Sequence, residues 1–139
     1  MPGLDQSIVI DADPDDVFAT YFDVARWPTW CPTIRAVERL EPGPFMVGSR
    51  TRVRQPRLPP AIWTVTALEP GTMFAWESPG PGFVTTGVHR VRAVVAGAEA
   101  TASLTSRGPL CAVSWWLTRR LVASYLDQET AALRRVFEG

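Results

Sequence analysis

Residues 109–137 read PLCAVSWWLTRRLVASYLDQETAALRRVF, and whether this run is one helix decides the fold. Gly108 ends whatever precedes it, and Pro109 suits a first helical turn, where its missing N–H costs nothing. No Gly or Pro follows until Gly139. Leu110, Val113, Leu117, Leu121, Tyr125, Ala132 and Val136 recur at steps of three, four or seven, so they share one side of a helix with about 3.6 residues per turn. Arg119, Arg120, Asp127, Arg134 and Arg135 take the other side, which reads as solvated. Such a helix is roughly 40 Å long at 1.5 Å per residue, enough to span a small domain, and its apolar side needs a cover.

Upstream of it the period is two. Strands are expected at Ile34–Leu40, Arg50–Gln55, Ile62–Leu68, Met73–Ser78, Phe83–Val95 and Ala100–Arg107. The links hold turn residues: Glu41-Pro42-Gly43-Pro44, Pro56 to Pro60, Glu69-Pro70-Gly71, Pro79-Gly80-Pro81-Gly82 and Gly97. Links this short imply an antiparallel meander. Before it, Ser7–Asp11 reads as a short strand, and Asp13-Pro14-Asp15-Asp16 as a helix start, with a cap, a fixed φ and carboxylates at the positive end of the dipole. Asp15 and Asp16 are therefore read as capping groups. A second small helix is expected across Asp23–Pro32, broken by Pro28 and stopped at Pro32, with Trp27 and Trp30 one turn apart. The order is strand, two small helices, six strands, long helix. This predicts an α+β helix-grip fold: a curved antiparallel sheet of about seven strands wrapped around a long C-terminal helix, as one domain over residues 1–139.

Composition narrows the function. With 46% hydrophobic and 20% charged residues among 139, the chain can bury a real core. Fourteen basic residues balance fourteen acidic ones, which argues against a nucleic-acid partner held by bulk charge. The start, Met1-Pro2-Gly3-Leu4-Asp5-Gln6, carries no signal-peptide pattern, and no run is long enough for a membrane span, so a cytoplasmic location is expected. Cys31 and Cys111 fit no metal spacing and are expected to be free thiols. One histidine and two scattered cysteines supply no ligand cluster, so no metal and no cofactor is expected. No nucleophile elbow or phosphate-binding glycine loop is present.

Trp27-Pro28 followed by Trp30 resembles the signature stretch of the START-like (SRPBCC) superfamily, in particular its polyketide cyclase/dehydrase and lipid-transport branch. Gly48 after Phe45-Met46-Val47, Trp63 and Val65 before Glu69-Pro70-Gly71, Phe74 to Trp76, Gly87-Val88-His89 and Ala100 to Gly108 continue the likeness in register. The resemblance implies the helix-grip fold and an apolar cavity between helix and sheet.

Alternation assigns the faces of most strands. Arg50, Arg52 and Arg54 must lie outside, which turns Thr51, Val53 and Gln55 inward. Arg90 and Arg92 likewise turn His89, Val91 and Ala93 inward, and Glu77 puts Phe74 and Trp76 on the dry side. Ile62–Leu68 is apolar on both sides, and Trp63 and Val65 are placed inward on the resemblance. The candidate binding surface is therefore Trp63, Phe74, Trp76, His89, Val91, Val53 and Gln55, opposite Leu117, Leu121 and Tyr125. Trp27 and Trp30 would plug the end of the barrel or border the mouth. Thr51 and Gln128 are further polar candidates.

Three functions fit this surface. The first is binding of a hydrophobic small molecule such as a lipid, polyketide or aromatic compound, by a monomer or homodimer. The second is a cyclase- or dehydratase-like enzyme that orients a chain, with His89 as acid or base and Tyr125 or Gln55 assisting. The third is an interaction module using the outer arginine face. His89, the only histidine, is the one side chain that titrates near neutral pH unaided.

Overall fold

A computed structural model describes residues 3–138. Seven strands form one antiparallel sheet: β1 (Gly3–Ile10), β2 (Ala36–Arg39), β3 (Arg50–Arg54), β4 (Ala61–Glu69), β5 (Met73–Gly80), β6 (Phe83–Val94) and β7 (Gly97–Arg107). Their spatial order is β1-β7-β6-β5-β4-β3-β2. Strands β2 to β7 are thus the expected meander, and β1 closes the far edge by pairing with β7, Gly3 opposite Thr105 and Ile10 opposite Ala98. Between β1 and β2 the chain forms α1 (Pro14–Phe22), a 3-10 turn at Val24–Arg26 and α2 (Trp27–Trp30). The last helix, α3, runs from Cys111 to Val136 and lies against β1, β7 and β6. This is the helix-grip arrangement.

Local chemistry explains the ends. Asp13 caps α1, its carboxylate accepting from the Asp15 N–H at 2.8 Å, with Pro14 opening the first turn. The helix α3 starts two residues later than Pro109, with Leu110 as its N-cap, and the Leu110 N–H donates to Gly82 O at 2.8 Å, which pins the helix start to the β5–β6 hairpin. Strand β1 begins at Gly3, ahead of the expected Ser7, since β7 is long enough to pair with all of it.

The sequence left β4 ambiguous because of a bulge. Val65 pairs with Trp76 and Ala67 with Ala75, so Thr66 is the extra residue. Beyond it Leu68 lies opposite Phe74. One inserted residue exchanges the faces, so Trp63 and Val65 on one parity and Leu68 on the other all serve the same side of the sheet.

The expected face of α3 is wrong in its N-terminal half. Leu110, Val113, Leu117 and Val136 are exposed, and the buried residues are Leu126, Glu129, Thr130, Ala132 and Leu133. The inward stripe is Trp115, Thr118, Val122, Leu126, Glu129 and Leu133, half-buried at first and fully buried later. The first half of α3 is apolar on two sides, so periodicity could not choose, and Glu129 and Thr130 disguised the buried side. The C-terminal half can approach the sheet closely because the first part of β7 offers the small Ala98, Ala100 and Ala102 on its inner face, all buried.

Gly97, in the β6–β7 turn, has φ 134°, and a Cβ there would stand 2.5 Å from Ile10 O and 2.9 Å from Ala12 N, both backbone atoms. Gly97→Ala is expected to destabilise the protein by about 2–4 kcal/mol, read as a lower urea midpoint, because neither the strained backbone nor the contact can relax cheaply.

Candidate functional site

The inner face of the sheet carries a continuous wall of rings. Trp63 stacks on Trp76 at 5.5 Å between centroids. Trp76 meets Trp27 and Phe74 edge-on, each at 5.4 Å. Beneath them His89 lies flat on Phe74 at 4.8 Å, with Tyr21 edge-on at 4.8 Å and Trp27 at 5.2 Å. Pairing brings these groups together: Phe74 is opposite His89 and Trp76 opposite Gly87. Gly87 lets the Trp76 indole lie close over β6, since a Cβ there would stand 3.1 Å from the indole Nε1.

The wall ends in polar groups. His89 Nε2 is 3.5 Å from Glu129 Oε1, reaching from sheet to helix between two buried side chains. His89 Nδ1, the Tyr21 hydroxyl and Thr51 Oγ1 are all buried without a hydrogen-bond partner. Each such group costs roughly 1–3 kcal/mol relative to its hydrated state, unless something fills its valence. Burial holds the Tyr21 hydroxyl well above its ordinary pKa, and the charges of Glu129 and Cys31 add to the effect. Burial also raises the Cys31 thiol, against the opposing influence of Thr33, whose hydroxyl lies 3.2 Å from the sulfur, and Glu129 raises it further. Trp27 is held by its Nε1–H, which donates to Tyr21 O at 3.0 Å.

The expected site residues divide into groups. Trp27, Phe74, Trp76 and His89 belong to the ring cluster and are buried, and Trp30 sits half-buried at its edge, 6.4 Å from Trp27. Trp63 is half-buried at the outer end of the wall. Val53 and Val91 lie buried on the inner face, and Gln55 is half-buried where β3 ends. On α3, Leu121 and Tyr125 are half-buried, and the Tyr125 hydroxyl donates to Pro56 O, tying the β3–β4 loop to the helix. Leu117, expected over the inner face, points the other way and is 69% exposed. Gln128 is also exposed and donates to Ser124 Oγ; its neighbour Glu129 takes the inward position. Ala93, expected inward, is exposed beside the β6–β7 turn.

Tyr21 and Glu129 were missed. The signal for Glu129 was the stripe Trp115, Thr118, Val122, Leu126, Glu129 and Leu133, which keeps helical spacing but contains a carboxylate and a hydroxyl. Tyr21 had no local signal beyond its place in α1. Outside the wall, three of the five outer arginines are paired with carboxylates of this chain: Arg52 with Glu38, Arg50 with Glu41 at 2.6 Å, and Arg92 with Glu99 at 2.6 Å. Cys31 and Cys111 are free. Among the described residues no helix is long and apolar enough to cross a membrane.

A seven-stranded antiparallel sheet gripping a long terminal helix, with rings and a few polar groups between them, defines a START-like helix-grip domain. The chain belongs to the polyketide cyclase/dehydrase and lipid transport family, whose sequence model matches residues 1–138. No functionally curated protein matches it. Among solved structures it is similar to the di-domain ARO/CYC StfQ of the steffimycin biosynthetic pathway, with TM-score 0.79 and 14% identity over 98% of this chain and 50% of that one. The di-domain ARO/CYC BexL of the BE-7585A pathway gives TM-score 0.72 and 24% identity over 97% of this chain and 46% of that one. A START superfamily protein from Mycobacterium smegmatis gives TM-score 0.78 and 14% identity over 98% and 97% of the two chains. The chain thus spans about half the length of the two ARO/CYC proteins. Likeness at these identities establishes the fold.

Proposed function

We propose that the chain binds a hydrophobic, ring-bearing small molecule between the sheet and α3. The observation that carries this reading is the ring wall flanked by buried polar atoms without partners, His89 Nδ1 and the Tyr21 hydroxyl beside β6 and Thr51 Oγ1 on β3, opposite Trp63. An apolar surface with a few unpaired polar groups is what orients a small ligand. Entry is from the side of Trp63 and the N-terminal half of α3, where Trp63, Trp115 and Val122 are only half-buried. The polar end of the ligand would take up the valences of His89 and Tyr21 while its body lies on the rings toward Trp63 and Thr51.

The test is native mass spectrometry of the freshly purified protein, followed by thermal shift with a library of lipids and polycyclic aromatics. A ligand at 100 times its dissociation constant adds about 2.7 kcal/mol, a shift of several degrees. Trp63→Ala is expected to weaken binding roughly tenfold or more by removing one stacking face. No adduct and no shift across the library would reject the reading.

A second reading is an enzyme resembling the aromatic cyclases, and the His89–Glu129 approach favours it. A histidine held beside a carboxylate can move a proton during enolisation or loss of water. Turnover that survives His89→Ala unchanged would exclude this role.

A further inference from the structure

The first half of α3 leaves an apolar ridge uncovered. Leu110, Val113, Trp116 and Leu117 share one helical face and are 49, 58, 69 and 69% exposed. At the tip of the β5–β6 hairpin the ridge continues into Pro81 and Phe83, forming with α3 a shallow groove of about 250 Å³. Large apolar side chains this exposed and this contiguous are unusual on a free surface. Arg120 follows on the same face and Arg119 beside it, both exposed. From Ala100 to Leu126 the sequence contains no acidic residue. The carboxylate of Glu77 lies 3.4 Å from Arg107 and is engaged there.

We infer that this face docks on an anionic lipid surface. The ridge is convex, with one tryptophan at its crest and guanidinium groups at its margin. That is the chemistry of interfacial helices, in which indole and aliphatic groups enter the headgroup boundary while arginines meet lipid phosphates. A second copy of the chain fits less well. Each copy brings two exposed guanidinium groups, Arg119 and Arg120, and a single carboxylate, Asp127 two turns beyond Arg120, to this side of α3, so a two-fold contact would gather an excess of positive charge. An acidic protein would answer the charge, but the groove is too shallow to seat an anchoring side chain deeply. Docking this way brings to the bilayer the half of α3 whose inward residues Trp115, Thr118 and Val122 are only half-buried. Vesicle docking is independent of whether cargo binds between sheet and helix.

The test uses the full chain and flotation with vesicles of phosphatidylcholine, with and without phosphatidylglycerol. Binding is expected only to the anionic vesicles and is expected to weaken as salt is raised. Trp116→Ser with Leu117→Ser should lower the vesicle affinity at least tenfold, and Arg119→Glu with Arg120→Glu should abolish the preference for anionic lipid. All four side chains are exposed, so the unfolding midpoints should stay near wild type and report that the fold is intact. Absence of binding to either vesicle overturns the inference, and so does binding that the Trp116/Leu117 pair does not affect. A dimer in solution that the same pair dissociates, without vesicle binding, overturns it in favour of a second copy. Retention of an acidic protein through this face, without vesicle binding, overturns it in favour of that partner.

Discussion

Phe74→Ala is expected to remove about 3–5 kcal/mol of stability, a large share of the roughly 5–15 kcal/mol available to a domain of this kind. Phe74 is fully buried and holds four rings in place: Phe22, Phe45, Trp76 and His89, at 6.1, 5.5, 5.4 and 4.8 Å between centroids. It sits at the middle of the sheet, on β5, so no loop can collapse into the space left behind. Urea denaturation followed by tryptophan fluorescence gives the figure. Leu117→Ala is the matched control and is expected to change stability by less than about 0.5 kcal/mol, because its side chain is in water. Equal losses at the two positions would mean that α3 lies rotated from the orientation described above.

Raising the pH should weaken the fold, beginning near pH 9 and more steeply above roughly pH 10, the ordinary ranges of cysteine and tyrosine. Burial, helped by nearby negative charge, raises both Tyr21 and Cys31 in the folded chain. Above the ordinary values the unfolded chain therefore releases protons that the folded chain retains. The folded state binds more protons there, so stability falls as pH rises, by about 1.4 kcal/mol per pH unit for the Tyr21 proton. Below the ordinary values both states are protonated, and this contribution no longer varies. Tyr21→Phe deletes an unpartnered hydroxyl, so at neutral pH it should be neutral or mildly stabilising while flattening the alkaline slope. An unchanged slope in Tyr21→Phe would show that the hydroxyl is not held protonated by the core.

Much of the fold was legible because period and punctuation agreed. The turn residues between Leu40 and Gly108 separated six strands, and Asp13-Pro14 marked α1, each through chemistry confined to a few neighbouring residues. The strand faces were legible wherever an arginine or glutamate labelled the wet side, as on β3, β5 and β6. Two things escaped for a shared reason: periodicity reports apolar spacing and nothing about which apolar side is covered. In β4 the bulge at Thr66 exchanged parities, and in α3 the exposed ridge of Leu110, Val113 and Leu117 was more regular than the buried stripe containing Glu129. Of the site, the rings and His89 were found from β5 and β6. Tyr21 and Glu129 reach it from α1 and α3, elements whose docking only the assembled structure reveals.

The pairing of β1 with β7 sets an order on assembly. Strands β2 to β7 each meet a partner adjacent in the chain, so their hairpins can close as they emerge during synthesis. Strand β1 is made first, yet its register, Gly3 to Thr105, completes only once β7 exists. The sheet therefore acquires its earliest segment among its last, and long-range closure of this kind slows folding. Until then β7 offers an unpaired edge, the stage at which a nascent chain is most open to joining a neighbour. Pulse-labelled hydrogen exchange during refolding is expected to show Leu4 to Ile8 gaining protection after the β5–β6 hairpin.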